Sequence, residues 1–234
     1  MSKKEGNLHA GHRSRVKEEF LRRGLDSLPE HRVLELLLFY SVPRMDTNKL
    51  AHRLIDRFGS LAGVLDASVE DLCTVSGVGE HTAVLLRMIP ELCGRYVASR
   101  SSLGDIVDCS ARVREVLEPY FFGARNEMVY ILCLDAKCKV LGCKMVGEGS
   151  VISASVPIRR VVEIALNTNA TTVVLAHNHP SGLAVPSADD IQTTLRVAKA
   201  MEAVEITLAD HIVVADNDFV SMLQSGYYRQ GMNE

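Results

Sequence analysis

Two histidines one residue apart, followed at short intervals by a serine and an acid, are the residues of this chain best suited to chemistry. From position 175 the chain reads Leu-Ala-His-Asn-His-Pro-Ser-Gly-Leu-Ala-Val-Pro-Ser-Ala-Asp-Asp, with seven residues between His179 and Ser187 and two between Ser187 and Asp190. Residues 171–176 form a β-branched apolar run of the kind that makes a buried strand. If the extended conformation persists past Ala176, strand alternation turns His177 and His179 to the same side. Two imidazoles on one side of a strand end, with a carboxylate returning nearby, make three ligands and an open fourth position, the pattern of a zinc site that keeps a water. A bland reading stands beside this one. Ser187-x-x-Asp190 ahead of a helix is also a capping box, and a histidine closing a buried strand is ordinarily a hydrogen-bonded structural residue. The conjunction favours metal, because two same-side histidines, a Pro180-Ser181-Gly182 bend and an acid on the returning helix are hard to explain as separate caps.

Holding these residues in place requires a mixed α/β domain. Strands are predicted near 127–135 and 138–146, joined by a turn at Asp135-Ala136-Lys137, and again at 172–176, 205–209 and 211–215. Helices are predicted around 111–117, 157–167 and 188–203. Asp210-His211 then reads either as a turn with a packed ring or as a source of the carboxylate that fixes a ligand histidine. Residues 1 to about 12 are polar and read as a frayed start, and 13–100 as helical with short breaks. A buried helix is centred on 33–39, and Asp46-Thr47-Asn48 caps the next, which ends at Gly59. Ser60 and Ser68 start two short helices, the second reaching Cys73. Gly77-Val78-Gly79 then turns into a helix over 84–96, and 99–104 reads as a linker. A Gly-x-Gly turn permits positive φ and leaves N–H groups open at the following helix N-terminus, where an anion is favoured. The turn resembles a helix-hairpin-helix, which would make it a grip for DNA phosphates, and reads otherwise as a tight folding turn.

Composition adds exclusions. With 234 residues, 47% hydrophobic and 24% charged, the chain is an ordinary globular sequence able to bury a core. No apolar run approaches the roughly 20 residues of a membrane helix, and the first residues lack an apolar signal core, so no membrane association and a cytoplasmic location are expected. The six cysteines form no C-x-x-C pair, and Cys133, Cys138 and Cys143 read as residues of pairing strands rather than a metal clip. Residues 1–100 carry a net +2 and residues 101–234 a net −5, giving −3 overall. Neither half is basic enough for charge alone to argue nucleic-acid binding.

The whole pattern resembles the JAMM (MPN+/JAB) metalloprotease family, whose motif is H-x-H, seven residues, Ser, two residues, Asp, with a Glu upstream. Within it, the sequence is similar to the bacterial RadC-type proteins. They join that domain to an N-terminal helix-hairpin-helix and carry His-Asn-His-Pro-Ser-Gly followed by Pro-Ser-x-x-Asp. The likeness extends to Gly11-His12-Arg13-x-Arg15, Leu36-Leu37-Leu38-Phe39-Tyr40, Arg57-Phe58-Gly59-Ser60 and Asp210-His211. It implies an α+β chain: an all-α helix-hairpin-helix domain over 1–100 and a mixed α/β JAB/MPN domain over 105–234. It further implies Zn2+ held by His177, His179 and Asp190 (not Asp189), with a zinc-activated water and Ser187 as the supporting hydroxyl. The upstream Glu, the general acid/base that takes the water's proton and delivers it to the leaving amine, falls on Glu148, with Glu163 as the second choice.

Two function classes follow. One is a zinc-dependent metallohydrolase, a peptidase or isopeptidase cleaving an amide of a peptide or protein substrate. The other is a DNA-associated repair or recombination accessory protein that binds DNA through Gly77, Val78 and Gly79, with the zinc domain as scaffold. Contiguous His177-Asn178-His179 is not an HNH nuclease, whose residues are dispersed over a ββα unit. A zinc nucleoside deaminase would need a Pro-Cys-x-x-Cys that does not follow.

Overall fold

The computed structural model describes residues 5–43, 45–100, 104–149, 156–180, 182–215 and 218–229. The chain divides into two compact units, Met1–Leu92 and Cys93–Glu234.

The first unit is helical. It comprises α1 (Glu5–Arg23), α2 (Glu30–Ser41), α3 (Thr47–Phe58), α4 (Leu61–Asp66), α5 (Val69–Cys73) and the first part of α6 (Glu80–Arg100). Side-chain caps start three of these. Asp46 accepts from the Asn48 and Lys49 N–H groups, Ser60 from Gly63 and Ser68 from Asp71, which satisfies donors no helix can satisfy internally. Leu34, Leu38, Leu50, Leu54, Leu72 and Leu86 are fully buried and form the unit's centre. The turn into α6 uses its two glycines differently. Gly77 has φ +98°, and a Cβ there would meet Met45 Cε at 2.8 Å, whereas Gly79 adopts no positive φ and has open space around it. The expectation that both glycines exploit positive φ therefore holds only for Gly77. Val78, between them, is buried in the core. The linker expected over 99–104 begins inside α6, whose last residue is Arg100, and residues 101–103 lie outside the described set.

The second unit is built on a five-stranded sheet of order β2-β1-β3-β4-β5. The strands are β1 (Met128–Leu134), β2 (Val140–Glu148), β3 (Thr172–Asn178), β4 (Thr207–Ala215) and β5 (Asp218–Ser221). Every neighbouring pair is antiparallel except β3 and β4. A parallel pair needs a crossover, and α9 (Ala188–Glu202) supplies it. The helix starts where the crossover leaves the C-terminal end of β3, so its first turn comes back to the residues that end that strand. One face of the sheet (Val129, Ile131, Val173, Leu175, Val213) packs on α8 (Ile158–Asn167) and α9 through Val161, Ala165, Val197 and Met201. The other face (Tyr130, Leu132, Val174, Ala176, Ile212) packs on α7 (Ser110–Leu117) and Phe121.

Two expectations are corrected here. The strands predicted near 205–209 and 211–215 are one strand, β4, and the short edge strand β5 was not anticipated. Asp210-His211 is accordingly no turn. The pairing runs Thr172↔Thr207 and Val173↔Leu208, then Val174↔Asp210 and Leu175↔His211, so β4 carries one extra residue at Ala209. That is a β-bulge, which looks in sequence like a strand break.

Candidate metal centre

His177 sits at the buried end of β3, and the buried stripe of α9, Asp190-Thr194-Val197-Met201, fixes what faces it. Val197 and Met201 are fully buried, each worth about 1.5–3 kcal/mol of apolar burial, and they press the helix onto the sheet. The same stripe continued towards the helix start aims Thr194 and Asp190 at the strand end. His179 follows two residues after His177, its backbone N–H bonded to the Val214 carbonyl at 2.8 Å, so the extended path continues.

The three side chains converge. His177 Nε2 lies 2.9 Å from His179 Nε2 and 3.2 Å from Asp190 Oδ1, and His179 Nε2 lies 3.4 Å from Asp190 Oδ2. Ligand atoms of a tetrahedral zinc ion with bonds of about 2.0–2.1 Å stand roughly 3.3 Å apart, so the two rings and the carboxylate are spaced close to what such an ion requires. The donor set fits as well. His179 Nδ1 is 2.9 Å from the Leu183 carbonyl, which can only accept, so Nδ1 carries the proton and Nε2 presents its lone pair to the cluster. Burial works to raise the Asp190 pKa, but the neighbouring His177 and the hydrogen bonds from Ser187 outweigh it and hold the carboxyl well below its usual range. Among the described residues this is a single group of three side chains with atoms arranged to hold a divalent ion.

The cap and the ligand readings of Ser187 and Asp190 coexist, because the two oxygens of Asp190 divide the work. Oδ2 accepts the Ser187 N–H at 2.7 Å and its O–H at 2.6 Å, while the Ser187 hydroxyl accepts the Asp190 N–H at 3.1 Å, a complete capping box. Oδ1 is left to face His177. Asp189 is exposed on the same turn.

The structure does not bring Glu148 to the cluster. Glu148 pairs with Met128, on the sheet face of Tyr130 and Leu132, whereas His177 belongs to the opposite face with Val173 and Leu175. Its carboxylate bonds the Asn126 side chain at 3.0 Å. A register shift between Val129 and Tyr130 sets this parity, which strand alternation in sequence does not reveal. Glu163 is exposed on α8 and paired with Arg159 at 2.8 Å. Glu127, not singled out from sequence, precedes β1; the β1–β3 pairing ends at Val129↔His177, and continued by two residues that register would set Glu127 opposite His179, on the face of Val129. The Asn178 side chain bonds the Met128 N–H at 2.7 Å and the Asn126 carbonyl at 3.1 Å, fastening this segment to the end of β3.

His211, which the sequence places either in a turn with a packed ring or beside a ring-fixing carboxylate, is buried in β4 with Nε2 2.8 Å from His177 Nδ1. Burial, followed by the neighbouring His177, lowers its pKa well below the usual histidine value. Asp210, expected as a ring partner, instead accepts from the His211 N–H at 2.8 Å, the Leu223 N–H at 3.0 Å and the Ser221 hydroxyl. Its pKa is raised by burial, which those three donors only partly offset.

Residues 107–227 match the family model for a RadC-like JAB domain, and residues 9–84 match that for a UPF0758 N-terminal domain. The chain belongs to the RadC-like JAB family. A UPF0758 protein of Vibrio atlanticus is 35% identical over 214 residues, covering 92% of this chain and 96% of that relative. UPF0758 proteins of Vibrio cholerae (37% over 214 residues, 92% and 96% coverage) and Fusobacterium nucleatum (31% over 236 residues, 97% and 99%) are similar along nearly their whole length. The α+β architecture of a helical N-terminal region followed by a mixed sheet agrees with that family. In this RadC-like domain the matched region contains the cluster, Glu127 and His211 alike.

Proposed function

We propose that this RadC-like JAB domain is a zinc-dependent hydrolase of amide bonds, of the peptidase or isopeptidase type. The observation that carries the reading is the convergence of His177 Nε2, His179 Nε2 and the Asp190 carboxylate, with the two nitrogens 2.9 Å apart and a carboxylate oxygen 3.2 and 3.4 Å from each in turn. A zinc ion held by these three residues would supply a Lewis acid for the scissile carbonyl and a water acidified to about pKa 7. The chain's own groups do the rest. The capping box keeps the Asp190 carboxylate in one orientation, and the Leu183 carbonyl keeps the His179 ring in one tautomer. Glu127 takes up a proton on its carboxylate and returns it to the departing amine, the role first given to Glu148. It is half-buried and on the cluster's side of the sheet, which is what that task asks of it. No observation favours DNA binding at Gly77, Val78 and Gly79 over a folding turn, since Val78 serves the core and Gly79 needs no special conformation.

The test has two stages. Purified full chain is expected to hold one zinc per chain, lost in the His177→Ala/His179→Ala double variant. A wild type that stays zinc-free after zinc loading refutes the metal. On a panel of peptide and isopeptide amides, Glu127→Gln is expected to lose about 10²–10⁴-fold in kcat, the span of general acid–base catalysis, with Glu148→Gln within a few-fold of wild type. The reverse pattern removes Glu127 from the mechanism.

A further inference from the structure

Behind His177 the side chains close into a ring of short polar contacts, all but the last of them hydrogen bonds. Thr194 Oγ1 is 2.6 Å from the Asp190 carbonyl and 2.5 Å from His211 Nδ1. His211 Nε2 is 2.8 Å from His177 Nδ1, and His177 Nε2 returns to Asp190 Oδ1 at 3.2 Å. The direction of the protons follows from counting them. A hydroxyl has one proton, and a backbone carbonyl can only accept, so Thr194 donates to Asp190. Its oxygen then accepts from His211 Nδ1–H, which leaves the neutral His211 with a lone pair on Nε2. That lone pair accepts from His177 Nδ1–H, and His177 Nε2 is left bare, facing the cluster.

We infer that Thr194 and His211 are positioning residues that set the tautomer of the ligand His177, an inference that rests on the metal reading above. The relay has something to oppose. Asp190 Oδ1 beside His177 Nε2 would otherwise draw the ring proton onto that nitrogen and block it as a ligand. The ring of bonds withholds the proton by anchoring it, two side chains away, to a carbonyl that has no way to give one back. The weak second acceptor of the Thr194 hydroxyl, Met222 Sδ at 3.5 Å, cannot donate either, so it does not reverse the order. Both nitrogens of His211 are occupied, which excludes it as a fourth ligand or a proton shuttle.

The experiment compares wild type, Thr194→Val and Thr194→Ser as full chains. Zinc affinity is read by competition with a chromophoric chelator, and thermal melts in EDTA serve as the folding control. Loss of an outer hydrogen-bond partner of a ligand histidine weakens metal binding by about 10–100-fold, and that is expected of Thr194→Val, with Thr194→Ser restored to within threefold. A valine variant that binds zinc as wild type does, or a serine variant as weak as valine, overturns the relay. Long-range nitrogen–proton spectra of the metal-free wild type give an independent readout: both His177 and His211 are expected protonated on Nδ1. A proton on His177 Nε2 overturns the relay even if the variants fold poorly. A wild type that binds no zinc refutes the proposed function instead, and the tautomer spectrum still decides the relay.

Discussion

Ser187 is the residue at which cap and chemistry can be separated by measurement. Replacing it with alanine removes two of the three bonds in the capping box, the acceptor of the Asp190 N–H and the O–H donor to Asp190 Oδ2, and leaves the Ser187 backbone N–H on that oxygen. Loss of an N-cap side chain costs about 1 kcal/mol. Loss of a hydrogen bond to an ionised carboxylate costs about 1.5 kcal/mol more, giving roughly 2.5 kcal/mol in the metal-free protein. For a unit of this size that is a fall of about 8 °C in Tm, at about 3 °C per kcal/mol. Glycine is nearly as good an N-cap as serine, so Ser187→Gly should recover the first contribution and lose only the second, and Ser187→Thr should keep both. The expected order is Ser and Thr, then Gly, then Ala.

Five of the six tyrosines lie in the second unit, so tyrosine fluorescence during thermal unfolding in EDTA follows the relevant transition. An alanine variant as stable as wild type, or a glycine variant below alanine, would refute the division of labour between the two oxygens of Asp190.

Two further outcomes follow from burial and close approach. His211 is held neutral, with its folded-state pKa below the usual 6.5, so the stability it contributes is present above pH 6.5 and lost as pH falls through the folded value. Asp190 is depressed too and acts in the same direction at lower pH, so urea midpoints of the chelated protein should decline from pH 7.5 to 5; a flat profile would contradict the buried neutral ring. In α6, a Cβ on Gly94 would stand 2.5 Å from the Pro119 carbonyl oxygen, whereas nothing lies within 4 Å of one on Gly79. Gly94→Ala is therefore expected to cost about 1–3 kcal/mol by overpacking. Gly79→Ala should stay within about 0.5 kcal/mol, and equal melting temperatures for the two variants would defeat the comparison.

What could be read from sequence was local. The H-x-H pattern, the capping box at Ser187, the caps at Asp46, Ser60 and Ser68, and most helices depend on residues within a few positions of one another. The misplacements in the sheet depend on register. Glu148 and Glu127 both flank strand ends, and which of them shares a face with His177 is decided by a shift in the β1–β2 pairing and by the alignment of β1 with β3, forty-eight positions away along Val129↔His177. An alternation read along one strand carries no information about a bulge in its neighbour. Asp210-His211 admits a turn reading because the apolar alternation slips there, and in sequence a slip and a strand ending look alike.

That slip is where the site is made. Had β4 continued in the register of Val173↔Leu208, Asp210 would stand opposite Leu175 and His211 opposite Ala176, on the α7 face, away from His177. The extra residue at Ala209 reverses the parity, so that His211 pairs with Leu175 and its ring turns to the α9 face, within reach of His177 and Thr194. A bulge forfeits part of the ladder, and here the loss is offset locally: the Asp210 carboxylate accepts the His211 N–H and two donors from the chain that follows β5's first residues, Ser221 and Leu223. The adjacent acid and histidine thus act in sequence, one stitching the irregularity and the other using it. Asp210→Ala is therefore expected to weaken zinc binding in the chelator competition through the bulge, although Asp210 has no hydrogen bond to His177 or His179; affinity equal to wild type would refute that link.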